Sequence, residues 1–132
     1  MSVGSKRRLR EIVVAGKAVP TGYACFVEAH RLAEERSLAY HRLVAARIVA
    51  DPAILDRARR YVRAWLERGT APHYARHWDR ILRGSIDDIR ALLVADTEEG
   101  RALRQSTPFA GVIDPRERWR IWKETRDRVM RP

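Results

Sequence analysis

Apolar residues recur at helical spacing along most of the chain after residue 20. One stripe covers residues 21–36 and a second covers residues 38–50, with Ser37 between them as either a new helix start or an interior position of one long helix. Further stripes follow over residues 51–68, 72–84, 85–95 and 115–130. Because residues three or four apart share one side of a helix, each stripe predicts an amphipathic helix packed on a core.

Helix start and stop signals separate these stripes. Asp51 and Asp114 each precede a proline, which is a favourable first helical residue, and Ser85 with an acidic residue three positions later resembles a capping box. Asp96 or Thr97 is expected to cap a short helix, and Gly69 is placed to end one. The pattern predicts an all-α fold: a single compact domain of about five to seven helices over residues 21–132, after a basic and partly flexible N-terminal segment, residues 1–20. The pattern of that segment is ambiguous, and a short helix over residues 6–14 is the alternative that it suggests.

The stripes also name the residues that are expected to be buried. The predicted core includes Leu55, Val62, Trp65, Trp78, Ile89 and Leu93. In the last helix, Trp119, Trp122 and Val129 are expected to mark the apolar stripe. His41 lies on an apolar stripe and is interpreted as a hydrogen-bonded core histidine, and Cys25 as a small core residue.

An unusually apolar loop precedes the last helix. Residues 107–113 carry Phe109, Val112 and Ile113, where loops commonly carry polar side chains. Apolar side chains in a connection must be covered, either by the chain's own core or by another protein. The sequence leaves both alternatives open.

The charge of the chain indicates an acidic partner. Its 27 lysines and arginines exceed its 17 acidic residues and give a net charge of +10. The last helix carries seven basic residues and three acidic ones, and a second basic cluster follows Asp51. Such faces bind phosphates or carboxylates, or are simply solvated, and the sequence does not decide between these interpretations.

No set of residues predicts catalysis. The chain has no nucleophile elbow, no glycine-rich phosphate loop and no zinc-binding helix motif. His73 and His77 share a helical face but lack the further ligands that a metal needs, so neither an enzyme nor a metal or other cofactor is expected. A single cysteine and the lack of a long apolar run predict a cytoplasmic protein that does not insert into a membrane.

Several motifs occur in a distinctive order from residue 37 onward. They are Ser-Leu-Ala-Tyr-His-Arg-Leu-Val-Ala at 37–45, Asp-Pro-Ala-Ile-Leu-Asp-Arg-Ala-Arg at 51–59, Arg-Gln-Ser-Thr-Pro-Phe-Ala-Gly at 104–111 and Arg-Glu-Arg-Trp at 116–119. This order resembles a group of small helical bacterial proteins that are encoded beside nucleotidyltransferase-like toxins and act as antitoxins. The resemblance covers roughly the last three quarters of the chain and leaves residues 1–36 outside it.

The resemblance implies a type II antitoxin that binds and neutralises its cognate toxin. Nucleotidyltransferase toxins carry metal-binding carboxylates, so a basic antitoxin is expected to cover that acidic active site. The expected partner-binding residues are Arg104, Phe109, Gly111, Arg116, Arg118, Trp119 and Arg120. The alternative is a basic helical nucleic-acid-binding protein, either a transcriptional regulator or an RNA binder, that uses the arginine-rich helices.

Overall fold

The computed structural model describes residues 11–14, 17–69 and 73–131, with side chains from Phe26 onward. Six helices dominate the described residues, and the predicted all-α class with five to seven helices is confirmed. They are α1 (Thr21–Ala50), α2 (Ala53–Glu67), α3 (Ala75–Ile81), α4 (Ile86–Leu93), α5 (Glu98–Gln105) and α6 (Pro115–Val129). Two short strands precede them, β1 (Glu11–Val14) and β2 (Lys17–Pro20). The chain divides into two compact units, Met1–Ala33 and Glu34–Pro132.

The first unit contains an antiparallel strand pair and the beginning of α1. Ile12 pairs with Val19 and Val13 with Ala18. The short helix predicted over residues 6–14 is therefore wrong for Glu11–Val14, and residues 6–10 lie outside the described part. The physical reason is that consecutive β-branched residues lose side-chain freedom in a helix and favour a pleated strand. The side chain of Cys25 also lies outside the described residues.

Helix α1 is continuous through Ser37. Its 30 residues run from Thr21 to Ala50 without a break, so Ser37 is an interior position and does not start a second helix. The polar side chain is accommodated because Ser37 Oγ lies 3.5 Å from His41 Nδ1, one turn further along. The separation of residues 1–20 from residues 21–132 as distinct parts stays a prediction.

The core of the second unit is largely the one that the stripes predict. Leu55, Val62, Trp78, Ile89 and Leu93 are buried, as expected. Trp65 is only half-buried and packs against the edge of this core, so its predicted full burial is wrong. The buried cluster also contains Tyr40, Val44, Ala45, Ile48, Ile54, Ala58, Leu82, Leu103, Phe109 and Ile113.

The helix starts agree with the side-chain signals. Ser85, Thr97 and Asp114 each accept a hydrogen bond from a backbone N–H two or three residues later, at 3.1, 3.0 and 2.7 Å. Thr97, rather than Asp96, is therefore the cap of α5. Asp51 accepts the N–H of the first residue of α2 at 3.2 Å, although Pro52 occupies the N-cap position. These bonds satisfy N–H groups that have no partner inside their own helices.

Helix α6 runs antiparallel to the part of α1 that lies in the second unit. Glu117, near the start of α6, forms an ion pair with Arg47 near the end of α1. Arg128, near the end of α6, lies 3.4 Å from Glu35, closer to the start of α1. These two pairs fix which side of α6 faces α1 and therefore which side faces solvent.

Candidate functional site

The apolar loop before α6 is covered by the chain's own core. Phe109 and Ile113 are buried and Val112 is half-buried. The Phe109 ring meets the Trp78 ring edge-to-face with centroids 5.8 Å apart, and the Tyr40 hydroxyl donates to the Phe109 carbonyl at 2.7 Å. The sequence leaves open whether the core or another protein covers this loop, and in the structure the core covers it.

A second side chain of α1 holds the same loop. His41 Nδ1 lies 2.7 Å from the Ser37 carbonyl, which can only accept, so Nδ1 carries the proton. His41 Nε2 then accepts from the Thr107 hydroxyl at 2.8 Å, while Thr107 Oγ1 accepts from the Phe109 N–H at 3.1 Å. The predicted hydrogen-bonded core histidine is confirmed.

The neutral form of His41 is favoured by its surroundings. Burial lowers the pKa of His41 from 6.5 to about 4, and the positive charge of Arg104 adds to this, whereas the bond to the Ser37 carbonyl acts in the opposite direction. Burial dominates because an imidazolium loses more hydration than a neutral ring does. The ring therefore acts as a neutral structural link at physiological pH.

Arg104 lies in the interior. Its guanidinium donates to the carbonyls of Leu93 and Ala95, at 3.4 and 2.8 Å, where α4 ends. Burial, followed by the nearby Arg101, lowers the pKa of Arg104 below its ordinary value. Two of the expected partner-binding residues, Arg104 and Phe109, thus hold the fold together from inside and contribute no exposed surface.

Other arginines also complete the fold by bonding backbone carbonyls. Arg59 donates to the Leu82 carbonyl at 2.9 Å and Arg90 to the Ala45 carbonyl at 2.8 Å. Arg36 donates to the Trp122 carbonyl and lies over its indole, 5.9 Å from the ring centroid. Part of the arginine content is therefore structural, and a candidate binding surface must come from the remainder.

Trp119 is the most exposed of the large hydrophobic side chains that the structure describes, at 70%. Of the three residues on the predicted apolar stripe of this helix, Trp122 and Val129 are half-buried against the protein, whereas Trp119 is in solvent. Thr125 is the most buried residue of α6, and Trp119 is displaced from it by about 120° around the helix. The antiparallel contact with α1 selects the side of Thr125, which leaves Trp119 in solvent.

Three cations share this exposed side with Trp119. Arg116 and Lys123 lie one turn before and one turn after it, and Arg120 lies one turn from both of these cations. We call these four residues, Arg116, Trp119, Arg120 and Lys123, the basic α6 face. Among the described residues none of its three cations forms an ion pair.

Among the described residues, the acids of α6 form no ion pair with these cations, although Glu124 lies one turn after Arg120. Glu117 is turned towards Arg47 on α1, and Asp114 accepts the Arg116 backbone N–H. Asp127 lies one turn beyond Lys123 and is 3.8 Å from Arg126. The first three turns of α6 therefore present an indole and three positive charges to solvent.

The remaining expected residues take different positions. Arg118 is exposed, but it lies on the opposite side of α6 from Arg120, because two residues span about 200° of a helix. Gly111 is exposed in the loop with a φ of +82°, a conformation that L side chains rarely adopt. The structure thus brings together Arg116, Trp119 and Arg120 and adds Lys123, which its spacing of four from Trp119 could have identified.

A second exposed basic surface lies on α2. A shallow groove of about 430 Å³ is lined by Arg57, Arg60, Tyr61, Ala64, Trp65 and Arg68. Tyr61 is 48% exposed. The sequence pattern located this arginine cluster but gave no role to Tyr61, although its position four residues before Trp65 places the two aromatic rings on neighbouring turns.

Two further features bear on function. Within the described ranges, no group of three or more histidines, cysteines or acids is arranged to hold a metal ion, and no helix is long and apolar enough to cross a membrane. His73 and His77 are exposed and flank the Tyr74 ring, at centroid distances of 4.8 and 5.6 Å.

Comparison of the chain with protein-family models, with curated proteins and with solved structures found no match to any of them. Function is therefore inferred from the exposed surfaces together with the resemblance in the ordered motifs. Those surfaces are the basic α6 face and the groove on α2.

Proposed function

We propose that this protein is an antitoxin-like binding protein of the bacterial cytoplasm that neutralises a cognate nucleotidyltransferase-like toxin. The basic α6 face covers the acidic active site of the toxin. The observation that supports this most is the exposure of Trp119 among three cations without ion pairs. An indole held in solvent beside cations without ion pairs suits an interface.

The two kinds of side chain on this face have different tasks in the proposal. Arg116 and Arg120 form bidentate bonds with partner carboxylates, which the planar guanidinium geometry favours. Trp119 fills an apolar pocket at the centre of the contact. Central tryptophans commonly contribute about 2 kcal/mol or more to binding, while rim cations mainly raise the association rate and the salt sensitivity.

The proposed contact set differs from the one expected from sequence. Arg116, Trp119 and Arg120 remain proposed contacts, and Lys123 joins them. Arg104 and Phe109 act from the interior, and Gly111 shapes the loop that leads into α6. Arg118 faces away from the others and serves as a built-in comparison, since it is equally basic and belongs to the same helix.

This role needs no catalytic group, metal or cofactor in the chain itself. Neutralisation follows from occupancy, because a basic surface seated on metal-binding carboxylates excludes both the metal and the substrate. The affinity is expected to fall as salt rises, since part of it is charge attraction between exposed groups.

Co-expression with the product of the neighbouring reading frame tests the proposal. The intact chain is expected to restore growth that the toxin arrests and to copurify with it. Trp119→Ala and the double variant Arg116→Glu/Arg120→Glu are expected to lose both effects while remaining folded by circular dichroism. Arg118→Glu, which changes the same charge on the other side of α6, is expected to retain them.

Two results would contradict the proposal. One is a neighbouring frame whose product is not a nucleotidyltransferase-like protein, or is one that the intact chain does not bind. The other is equal loss of rescue in the α6-face double variant and in Arg118→Glu, which would mean that net charge matters and the face does not.

A further inference from the structure

The groove on α2 differs from ordinary solvated helix surface in its composition. Its lining residues are three arginines, two aromatics and an alanine, and no acid contributes to it. The nearest acids on the same helix are otherwise placed: Asp56 lies 3.2 Å from Arg59, outside the groove, and Glu67 lies beyond Arg60 on the far edge. The groove therefore carries a local positive charge next to exposed ring surface.

The residues are ordered across the groove. On a helix with 100° per residue, Arg60, Arg57 and Arg68 lie on the solvent side, whereas Tyr61 and Trp65 lie on the side nearest the core. Along the axis, the arginines extend over about 16 Å, and the two rings are about 6 Å apart. The three arginines are thus spread over about 80° of the helix surface, with Arg68 within about 20° of Tyr61, so positive charge lies beside a shorter row of aromatic rings.

A neighbouring cleft contains arginines whose side chains bond to other groups of the fold. It lies between α2 and α3 and is lined in part by Arg59 and Arg83. Arg83 lies 3.0 Å from Asp79, and Arg59 bonds the Leu82 carbonyl. Arg57, Arg60 and Arg68 have no such bond among the residues described, so the fold itself makes no evident use of their charge.

We propose that the α2 groove binds a single-stranded polynucleotide, with phosphates on Arg57, Arg60 and Arg68 and a base stacked on Tyr61. This function is separate from toxin binding by the basic α6 face. Arginines beside exposed ring surface match the chemistry of a strand, which presents both phosphate charge and flat rings. A base-paired duplex keeps its bases stacked inside, so Tyr61 would find no ring to contact.

The charge complementarity alone would also suit an acidic protein, and the aromatic row decides between the two. Single strands bind proteins through arginine–phosphate contacts together with sequence-tolerant stacking on exposed aromatics, and Tyr61 is exposed beside the arginines. The half-buried Trp65 forms the wall behind the stacked base.

Fluorescence anisotropy with a labelled 12-nucleotide single strand, as RNA and as DNA, tests the inference on the full chain. Binding is expected to weaken with salt with a logarithmic slope of about −2, as three phosphate contacts on a single strand imply. Tyr61→Ala should weaken binding by at least about fivefold, because stacking contributes about 1–3 kcal/mol per base. Tyr61→Trp should restore it, since it keeps a ring on the same side.

A matched arginine pair serves as the charge control. Arg57→Ala should weaken binding and reduce the salt slope by about 0.7, whereas Arg63→Ala, which removes the same charge about 120° around α2 from Arg57, in the cleft towards α3, should do neither. Thermal melting of each variant shows whether the fold is intact. Trp119→Ala should leave strand binding unchanged, so failure here and failure of toxin binding can be told apart.

Three outcomes would overturn the inference. The first is a blunt duplex or poly-glutamate binding as tightly as the single strand. The second is that folded Tyr61→Ala binds the single strand as tightly as the intact chain does, which would show that no base stacks on Tyr61. The third is an equal loss of affinity in Arg57→Ala and Arg63→Ala, which would show that binding depends only on net charge.

Discussion

His41 Nε2 lies 2.8 Å from Thr107 Oγ1, a contact that ties the middle of α1 to a loop 66 residues later. The preceding residue, Tyr40, donates to the Phe109 carbonyl of the same loop at 2.7 Å. Two consecutive side chains of one helix thus fix the loop that leads into α6. Because α6 presents the proposed binding face, the orientation of that face depends on a pair of buried polar contacts.

The first prediction is that the folded chain loses stability at acidic pH because His41 is held neutral in this link. The His41 pKa is about 4 in the folded chain and 6.5 as its ordinary value, so between these limits the unfolded chain binds a proton that the folded chain does not. The free energy of unfolding should therefore fall as pH drops from 6.5 towards 4, by about 3 kcal/mol for this group. Urea unfolding across this range measures it.

The control for that prediction is a pair of histidine variants. His41→Gln should be less stable at neutral pH, but its free energy of unfolding should change less between pH 6.5 and 4. His77→Gln, on an exposed histidine, should keep the pH dependence of the intact chain. An unchanged slope in His41→Gln would show that another group titrates with unfolding.

A second prediction compares two aromatic residues, Phe109 and Trp119, that are both expected from the sequence to bind the partner. Phe109→Ala should lower the free energy of unfolding by about 3–5 kcal/mol, because it leaves a cavity beside Trp78. Trp119→Ala removes a larger side chain but should change stability by less than about 0.5 kcal/mol, since its ring is in solvent. Chemical denaturation distinguishes them, and equal losses would contradict the placement of α6.

A third prediction concerns the loop backbone. Gly111 has a φ of +82° and open space where a Cβ would lie, so Gly111→Ala meets conformational strain but no clash. The expected cost is about 1–2 kcal/mol. Gly111→Asn should cost less, because asparagine tolerates this region better than alanine does. Thermal melting measures this cost. A Gly111→Ala variant as stable as the intact chain would mean that the loop adopts another conformation.

The helices could be predicted from sequence because their signals are local. Apolar spacing and side-chain caps such as Ser85 and Asp114 act within one or two turns, so they are visible in the chain itself. The strand Glu11–Val14 was missed because its β-branched run is short and no alternation with polar residues distinguishes it from a helix. The continuity of α1 through Ser37 was undecidable, since serine both caps helices and occurs inside them.

The proposed binding surface depends on tertiary contacts that no local pattern contains. Trp119 and Phe109 are both apolar in the sequence, yet the packing of α6 on α1 leaves Trp119 in solvent, while Phe109 is buried against Trp78. Arg104 resembles the other arginines of the chain, but its carbonyl partners at the end of α4 make it structural. Charge spacing did locate Arg116 and Arg120 together, because residues four apart share a helical side.

The most direct measurement of the central claim is the affinity of the purified toxin-like partner for two charge-reversal variants. Arg120→Glu lies on the basic α6 face, and Arg118→Glu lies on the opposite side of the same helix. Titration calorimetry at low salt should show Arg120→Glu binding at least about tenfold more weakly than the intact chain, a difference of about 1.4 kcal/mol. Arg118→Glu should bind within about threefold of it. Equal affinities for the two variants would contradict the claim that this face of α6 binds the partner.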